Sequence, residues 1–389
     1  MQRRHFLSAL LGTLVAGSAA AQTRKKKKSA APKPKAPPAT LNNPANAVAT
    51  PENSIIDQPV KGATTDNLPP LKALDEPEKW RNFEVVFQFE LPEDTDELDI
   101  YVPLPCDFLP LYQRQKRLFW QGQAAVELLK FPQNRADLLK INTPSRGFFL
   151  RTTRGSVQIK TEVAIAARRF NVGRRSVPPE IEEILRENLK ATDLIPNSGA
   201  ARNLALKIIA HIQDPLAQAR ALYDWVAETA AFSPQKPFAA GDAQTQILSQ
   251  SYGGNSADVS ALFVALCRAI GIPARNVYGV NIAPSQFSQS LGVSSNWTDN
   301  AHAKSEFYVP GYGWIGVDLG SVVKAGGRAL AQREELARRF FGFWEPNWLA
   351  LHWGTLLPSL PVLYAPTAVS NNKARMDVKT QITFRELAR

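Results

Sequence analysis

In Gly253-Gly254-Asn255-Ser256-Ala257-Asp258 two glycines, a capping residue and a hydroxyl stand at the mouth of a strongly apolar run. Between positions 257 and 270 only Asp258, Ser260 and Arg268 are polar, which predicts a single helix buried on nearly all sides. The glycines permit a sharp entry, Asn255 stands as N-cap with Asp258 three residues on, and Gly271 and Pro273 end the run. Ser256 therefore falls on the first turn, at the positive end of the helix dipole, where an anionic nucleophile or an oxyanion is stabilised. Cys267 cannot take its place, because eleven residues at about 1.5 Å rise carry it roughly 16 Å down the helix. It is expected in the core.

A second block follows: His302-Ala303-Lys304-Ser305-Glu306-Phe307-Tyr308, then Gly311-Tyr312-Gly313-Trp314, then Asp318. Ser256-Ala257-Asp258, the apolar helix, Gly271-Ile272-Pro273-Ala274-Arg275 and this block, in that order, resemble the transglutaminase-like superfamily, relatives of the papain-fold enzymes. The resemblance covers residues 200–345. Its pattern opens Gly-x-Cys-x-Asp, so Ser256 occupies the position of the catalytic cysteine. It further implies His302 as base and Asp318 as the carboxylate that orients it. Lys304 stands where the family usually has an aromatic residue, and Leu319 where it often has proline. A turn at Pro310-Gly311 that sets residue 302 opposite 318 would bring the two side chains onto one face, within about 5.5 Å at the backbone. A one-residue slip would separate them.

Serine changes the chemistry. A cysteine near neutral pH is already partly thiolate, and a helix N-terminus beside an imidazolium lowers its pKa further. A hydroxyl gains little from the same field and needs its proton removed during attack by a placed base, with donors ready for the oxyanion. Three uses of Ser256 follow. One is a degenerate Ser-His-Asp site that binds a peptide or amine-bearing ligand. Another is a working serine-dependent peptidase, amidase or acyltransferase, and the third is a structural serine or a deliberately replaced cysteine. The sequence does not name the substrate or the oligomeric state.

The expected fold class is α+β. Residues 77–171 read as an N-terminal β-sandwich-like domain, because Phe83, Val85, Phe87 and Phe89 alternate with Glu84, Val86, Gln88 and Glu90, and Val157, Ile159, Val163 and Ile165 share a parity. Further short strands are expected at 98–104, 138–141 and 148–152. The resemblance implies that residues 172–345 form a transglutaminase-like core, with the nucleophile helix packed on an antiparallel sheet of strands expected at 276–280, 303–309 and 314–318. Helices are expected from a stripe of Ile181, Ile184, Leu185 and Leu189, from Asp214-Pro215 with Ala219, Leu222, Tyr223 and Val226, and over 330–341. The polar loop 283–300, lying between the helix and the His302 strand, is placed to shape substrate access. Residues 346–389 form an extension with a closing strand at 378–384. Trp344, Trp348 and Trp353 read as packing, with a stacking platform for sugar or peptide as the alternative.

Charge and composition narrow the function. Of a net charge of +11, nine positive charges precede position 36 with no acid among them, leaving +2 for the rest. This argues against a nucleic-acid-binding domain, which needs its Lys and Arg gathered on one face. Residues 1–21 carry an arginine pair, an apolar run and Ala19-Ala20-Ala21, the three parts of an export signal of twin-arginine form. The basic run from Arg24 to Lys28 supports the alternative of an uncleaved membrane anchor. Residues 22–76, rich in Lys, Ala and Pro, read as a disordered linker whose basic start could rest on membrane or wall polymer. Two cysteines, Cys106 and Cys267, permit one disulfide, and the four histidines show no ligand spacing, so no metal or cofactor is expected.

Overall fold

The structure is a computed structural model and describes residues 79–91, 98–106, 111–122, 124–132, 135–143, 156–170, 177–234, 238–353, 356–357, 360–361, 364–370 and 375–388. The expected export signal, the linker and the strand at 148–152 lie outside the described residues.

Strands β1 (Trp80–Glu90), β2 (Leu98–Pro103), β3 (Gln113–Gln121), β4 (Ala125–Phe131), β5 (Ala136–Thr143) and β6 (Ser156–Ala166) come first, and β7 (Arg168–Arg169) leads out of them. Helices α1 (Glu182–Glu187), α2 (Ala200–Ile209) and α3 (Pro215–Thr229) follow, then β8 (Ala231–Phe232), α4 (Ala243–Ser249), β9 (Gly253–Gly254) and α5 (Ser256–Ala269). The chain continues through β10 (Ala274–Asn281), β11 (Ala301–Val309) and β12 (Gly313–Val317), then α6 (Leu319–Gly326) and α7 (Leu330–Phe340). It finishes with β13 (Phe343–Trp344), β14 (Trp348–Trp353), the β15 (Leu356–Leu357) and β16 (Leu360–Pro361) hairpin, β17 (Thr367–Ser370), β18 (Arg375–Met376) and β19 (Lys379–Leu387).

The alternation in β1 buries Phe83, Val85, Phe87 and Phe89 against Val157, Ile159, Val163 and Ile165 of β6 and against Ile100 and Ile141 of the facing sheet. The two layers run β19-β1-β6-β3 and β18-β17-β2-β5-β4. Strands from the C-terminal end thus complete both, with β19 pairing antiparallel to β1 from Asn82↔Leu387 to Glu90↔Lys379. This apolar interior continues into Val280 and Leu349 of the sheet β12-β11-β10-β14.

The sheet β12-β11-β10-β14 carries α5 on its face. Every residue of α5 except Asp258 and Arg268 is buried, and Phe263 meets Tyr223 of α3 and Phe307 of β11 edge to face at 6.2 and 5.8 Å. Full burial of one such side chain stabilises by about 1.5–3 kcal/mol. The helix is fixed from all sides. Around it, α3 starts as its sequence requires: the Asp214 side chain accepts from the Ala217 N–H at 2.8 Å, Pro215 opens the helix, and Ala219, Leu222, Tyr223 and Val226 are buried. The stripe expected before it is only partly realised. The helix α1 is short, Leu185 is buried, and Ile181 lies outside it and is 60% exposed.

Behind the sheet, Glu306 of β11 is fully buried between two guanidinium groups, Arg275 at 2.7 Å and Arg168. Arg275, the last residue of the Gly-Ile-Pro-Ala-Arg stretch, lies between the rings of Trp314 and Trp353 at 3.7 and 3.6 Å. Burial pushes the Glu306 carboxyl up, and the two arginines more than offset this, so it stays below the usual carboxylate value. This clamp ties β10, β11 and β7 together beneath the site.

Candidate active site

The entry to α5 folds as its residue types dictate. Gly253 and Gly254 have φ of 132° and 133°, and a methyl on Gly254 would meet Asp258 Oδ2 at 2.3 Å, so only glycine fits there. The Asn255 side chain accepts from the N–H groups of Ala257 and Asp258 at 2.8 and 3.2 Å, while Asp258 Oδ2 accepts from the Asn255 N–H at 3.0 Å. This reciprocal cap fixes the first turn. Asp258 also accepts from the Asp242 N–H at 3.1 Å, and burial raises its carboxyl above the usual value despite these bonds.

Ser256 opens the helix as expected and is 3% exposed. Its Oγ accepts from the Ala303 N–H at 3.0 Å, which joins α5 to β11 next to His302. The imidazole lies 2.8 Å from the Asp318 carboxylate, Nε2 to Oδ1. An ionised carboxylate only accepts, so Nε2 carries the proton and Nδ1 is the other ring nitrogen. Gly320 shows how near the two elements come. A methyl there would meet Ser256 Cβ at 2.5 Å and His302 Cε1 at 3.0 Å. The structure therefore brings Ser256, His302 and Asp318 together.

The route to that pairing differs from the expected one. β11 and β12 pair Ser305 with Val317 and Val309 with Gly313, around a turn of Pro310, Gly311 and Tyr312. Continuing this register puts residue 304, and not 302, opposite 318. The shift is two residues, which leaves His302 on the same face as Asp318, and the carboxylate reaches it diagonally. Asp318 lies just past β12 and serves as N-cap of α6, accepting from the Ser321 N–H at 3.0 Å. Its second oxygen accepts from Ser321 Oγ at 2.9 Å and lies 3.2 Å from Lys304 Nζ. Burial pushes the Asp318 carboxyl up, but His302 and Lys304 pull it well below the usual carboxylate range. Sequence reasoning missed Ser321 and Gly320. Asp318-Leu319-Gly320-Ser321 carries the signal for the first, an aspartate three residues before a donor at a helix start.

Tryptophans hold the site from behind. Trp348 Nε1 donates to the His302 carbonyl at 3.0 Å and Trp344 Nε1 to the Val317 carbonyl at 3.1 Å, and both residues are 3% exposed. The packing reading of these two therefore holds. The loop 283–300 is pinned at several points: Ser285 and the Gln286 N–H bind Glu345, and Trp297 packs edge to face on Phe87 at 5.6 Å while donating to the Tyr364 carbonyl at 2.7 Å. Cys106 and Cys267 are both buried and are not joined in a disulfide, and burial pushes the Cys267 thiol well up. Among the described residues no group of His, Cys, Asp and Glu is arranged to hold a metal ion.

Residues 202–319 match the profile of the transglutaminase-like superfamily core, a span that includes Ser256, His302 and Asp318. An uncharacterized protein of Haemophilus influenzae is 29% identical over 187 residues, 43% of this chain and 50% of that protein. The match thus spans half the length of this curated relative. A candidate cysteine protease from Cytophaga hutchinsonii superposes with a TM-score of 0.52 at 13% identity, over 80% of this chain and 92% of that one. The periplasmic domain of TgpA from Pseudomonas aeruginosa, 20% identical over 66% of this chain and 92% of its own, gives 0.34. The fold is α+β with a transglutaminase-like core, related in architecture to the Cytophaga structure.

Proposed function

We propose that the chain is an exported transglutaminase-like protein that binds protein or peptide segments, or amine-bearing ligands, where α5, β11 and α6 meet. In this reading Ser256, His302 and Asp318 are a Ser-His-Asp site from which thiolate chemistry is absent. The observation that carries it is the bonding of the hydroxyl. Ser256 Oγ accepts from the Ala303 N–H, and no hydrogen bond links it to His302. A serine nucleophile works by giving its proton to the base as it attacks. The Ala303 bond uses a lone pair of the Ser256 oxygen and leaves its O–H proton to be donated, so the reading rests on the lack of a Ser256–His302 hydrogen bond among the described residues. What remains is the positive end of the α5 dipole, which favours a carbonyl or carboxylate, and an imidazole nitrogen suited to an N–H. The superfamily match and the protease description of the Cytophaga structure favour a peptide as the ligand class. Export is supported by the arginine pair, apolar run and alanine triplet at the N-terminus. Among the described residues no helix is long and apolar enough to cross a membrane.

A second reading, a serine-dependent peptidase, amidase or acyltransferase, is favoured by the preservation of a buried His302–Asp318 pair at 2.8 Å. One experiment separates the two. Hydrolysis of an activated ester and of a peptide amide is compared for the parent, Ser256→Ala and Ser256→Cys. The binding reading expects no difference between the parent and Ser256→Ala, with slow hydrolysis introduced by Ser256→Cys. A parent rate abolished in Ser256→Ala would replace it with the enzyme reading.

A further inference from the structure

Lys304 is 1% exposed, and its ammonium lies 3.2 Å from Asp318 Oδ2, the oxygen that His302 does not use. The rings of Trp348 and Trp344 face it at 4.9 and 5.8 Å, so the cation is walled in and cannot swing to solvent. One buried carboxylate therefore serves two basic side chains. We propose that Lys304 is a positioning residue that keeps His302 uncharged, so that the site is built around a neutral imidazole and a hydroxyl and not around a thiolate–imidazolium pair. The inference rests on reading Ser256, His302 and Asp318 as one site, and holds whether or not that site turns over substrate.

Charge balance within the buried cluster favours the neutral ring. With Lys304 absent, no buried cation would bond the second oxygen of Asp318, and protonating His302 would supply the matching charge, as in a cysteine site where an imidazolium faces a thiolate. With Lys304 in place that charge is already matched. A proton on the imidazole would leave a buried cluster with net positive charge, which burial and like-charge repulsion both disfavour. A neutral ring can still donate from Nε2 to Asp318 and keeps a lone pair on Nδ1, the atom that would accept from a hydroxyl or from a ligand N–H.

The surrounding groups leave this balance standing. On α6, Lys324 is half-buried, and burial lowers its pKa although Asp318 favours its charge. On α5, Asp258 is turned into the cap with Asn255 and the Asp242 N–H. Tyr223 of α3 and Tyr278 of β10 are buried phenols held above their usual range by burial, and His352 of β14 is stacked on Tyr278 at 5.3 Å. The carboxylate bonded to His302 is thus the one it shares with Lys304.

The test reads the protonation of the His302 ring by nitrogen and carbon NMR on the full chain over a pH series, its signals assigned against His302→Gln. The parent is expected to show a neutral ring with the proton on Nε2 at about pH 7. In Lys304→Met, close in shape but uncharged, the imidazolium signals are expected to persist about one pH unit higher, a tenfold gain in proton affinity. An imidazolium in the parent at about pH 7 would overturn the inference without any variant, so a Lys304→Met protein that does not fold leaves it testable. A folded Lys304→Met with an unchanged series overturns it equally. Asp318→Asn separates the two levels: if His302 signals do not respond to it, the site reading itself fails, whereas a response there with none in Lys304→Met removes only the role of the lysine.

Discussion

Replacing Gly320 with alanine puts two effects of known size in opposition. In a helix interior alanine is favoured over glycine by about 1 kcal/mol. Gly320 lies in the first turn of α6, so propensity alone predicts a more stable protein. The added methyl, however, would sit 2.5 Å from Ser256 Cβ, 3.0 Å from Ser256 Cα and 3.0 Å from His302 Cε1. Ordinary carbon contacts are about 3.5–4.0 Å, so the neighbours must move by roughly 1 Å. Neither can give cheaply. Ser256 begins a helix capped on both sides of its first turn, and the imidazole is held by Asp318 at 2.8 Å. Overpacking of this kind costs about 1–3 kcal/mol. Set against about 1 kcal/mol of propensity, the upper part of that range leaves a net loss of up to about 2 kcal/mol, and the 2.5 Å contact places Gly320 there. Urea unfolding at neutral pH should show a lowered midpoint with an unchanged slope, and His302 NMR signals should move with it. A variant as stable as the parent, with His302 signals in place, would refute the claim that Ser256, His302 and the start of α6 meet as described.

Ser256→Cys should give a thiol that iodoacetamide modifies faster than the buried Cys267, and the rate should fall when His302 becomes alanine; an inert new thiol would count against the helix-end geometry. Glu306→Gln leaves Arg168 and Arg275 buried without their carboxylate and should cost about 3–5 kcal/mol by chemical denaturation. Because the folded Glu306 carboxyl lies below its ordinary value of 4.5, its contribution is fully present above that pH and is lost as the pH falls through the folded value. The stability gap between parent and Glu306→Gln should therefore narrow in acid, and a constant gap would show that the charge is not the cause. Mass spectrometry of the mature protein should find Gln22 at its start, whereas intact Met1 in a membrane fraction would establish the uncleaved anchor.

What could be read from the sequence was what depends on local residue types. The α5 segment announces itself because it is apolar all round and punctuated at both ends, and β1 because its alternation is uninterrupted over Phe83 to Phe89. Strand β3, Gln113–Gln121, gives no such signal. It lies at the rim of its sheet among the described residues, has one fully buried residue, and exposes Phe119 and Trp120, so burial imposes no period on it. Helix α1 fails in the opposite direction: Ile181, Ile184 and Leu185 have the spacing of a stripe, yet periodicity cannot say that Ile181 is left exposed.

The site divides along the same line. Sequence parity correctly sets His302 and Asp318 on one face, because a strand register changes faces only with an odd shift, and the turn through Tyr312 shifts it by two. Parity is blind, however, to position along the strand. The same two-residue shift that leaves the face unchanged moves Lys304 into the place opposite Asp318, where its ammonium reaches the free carboxylate oxygen at 3.2 Å. Nothing in the spacing of His302 and Asp318 distinguishes a carboxylate that serves one base from a carboxylate shared with a buried cation.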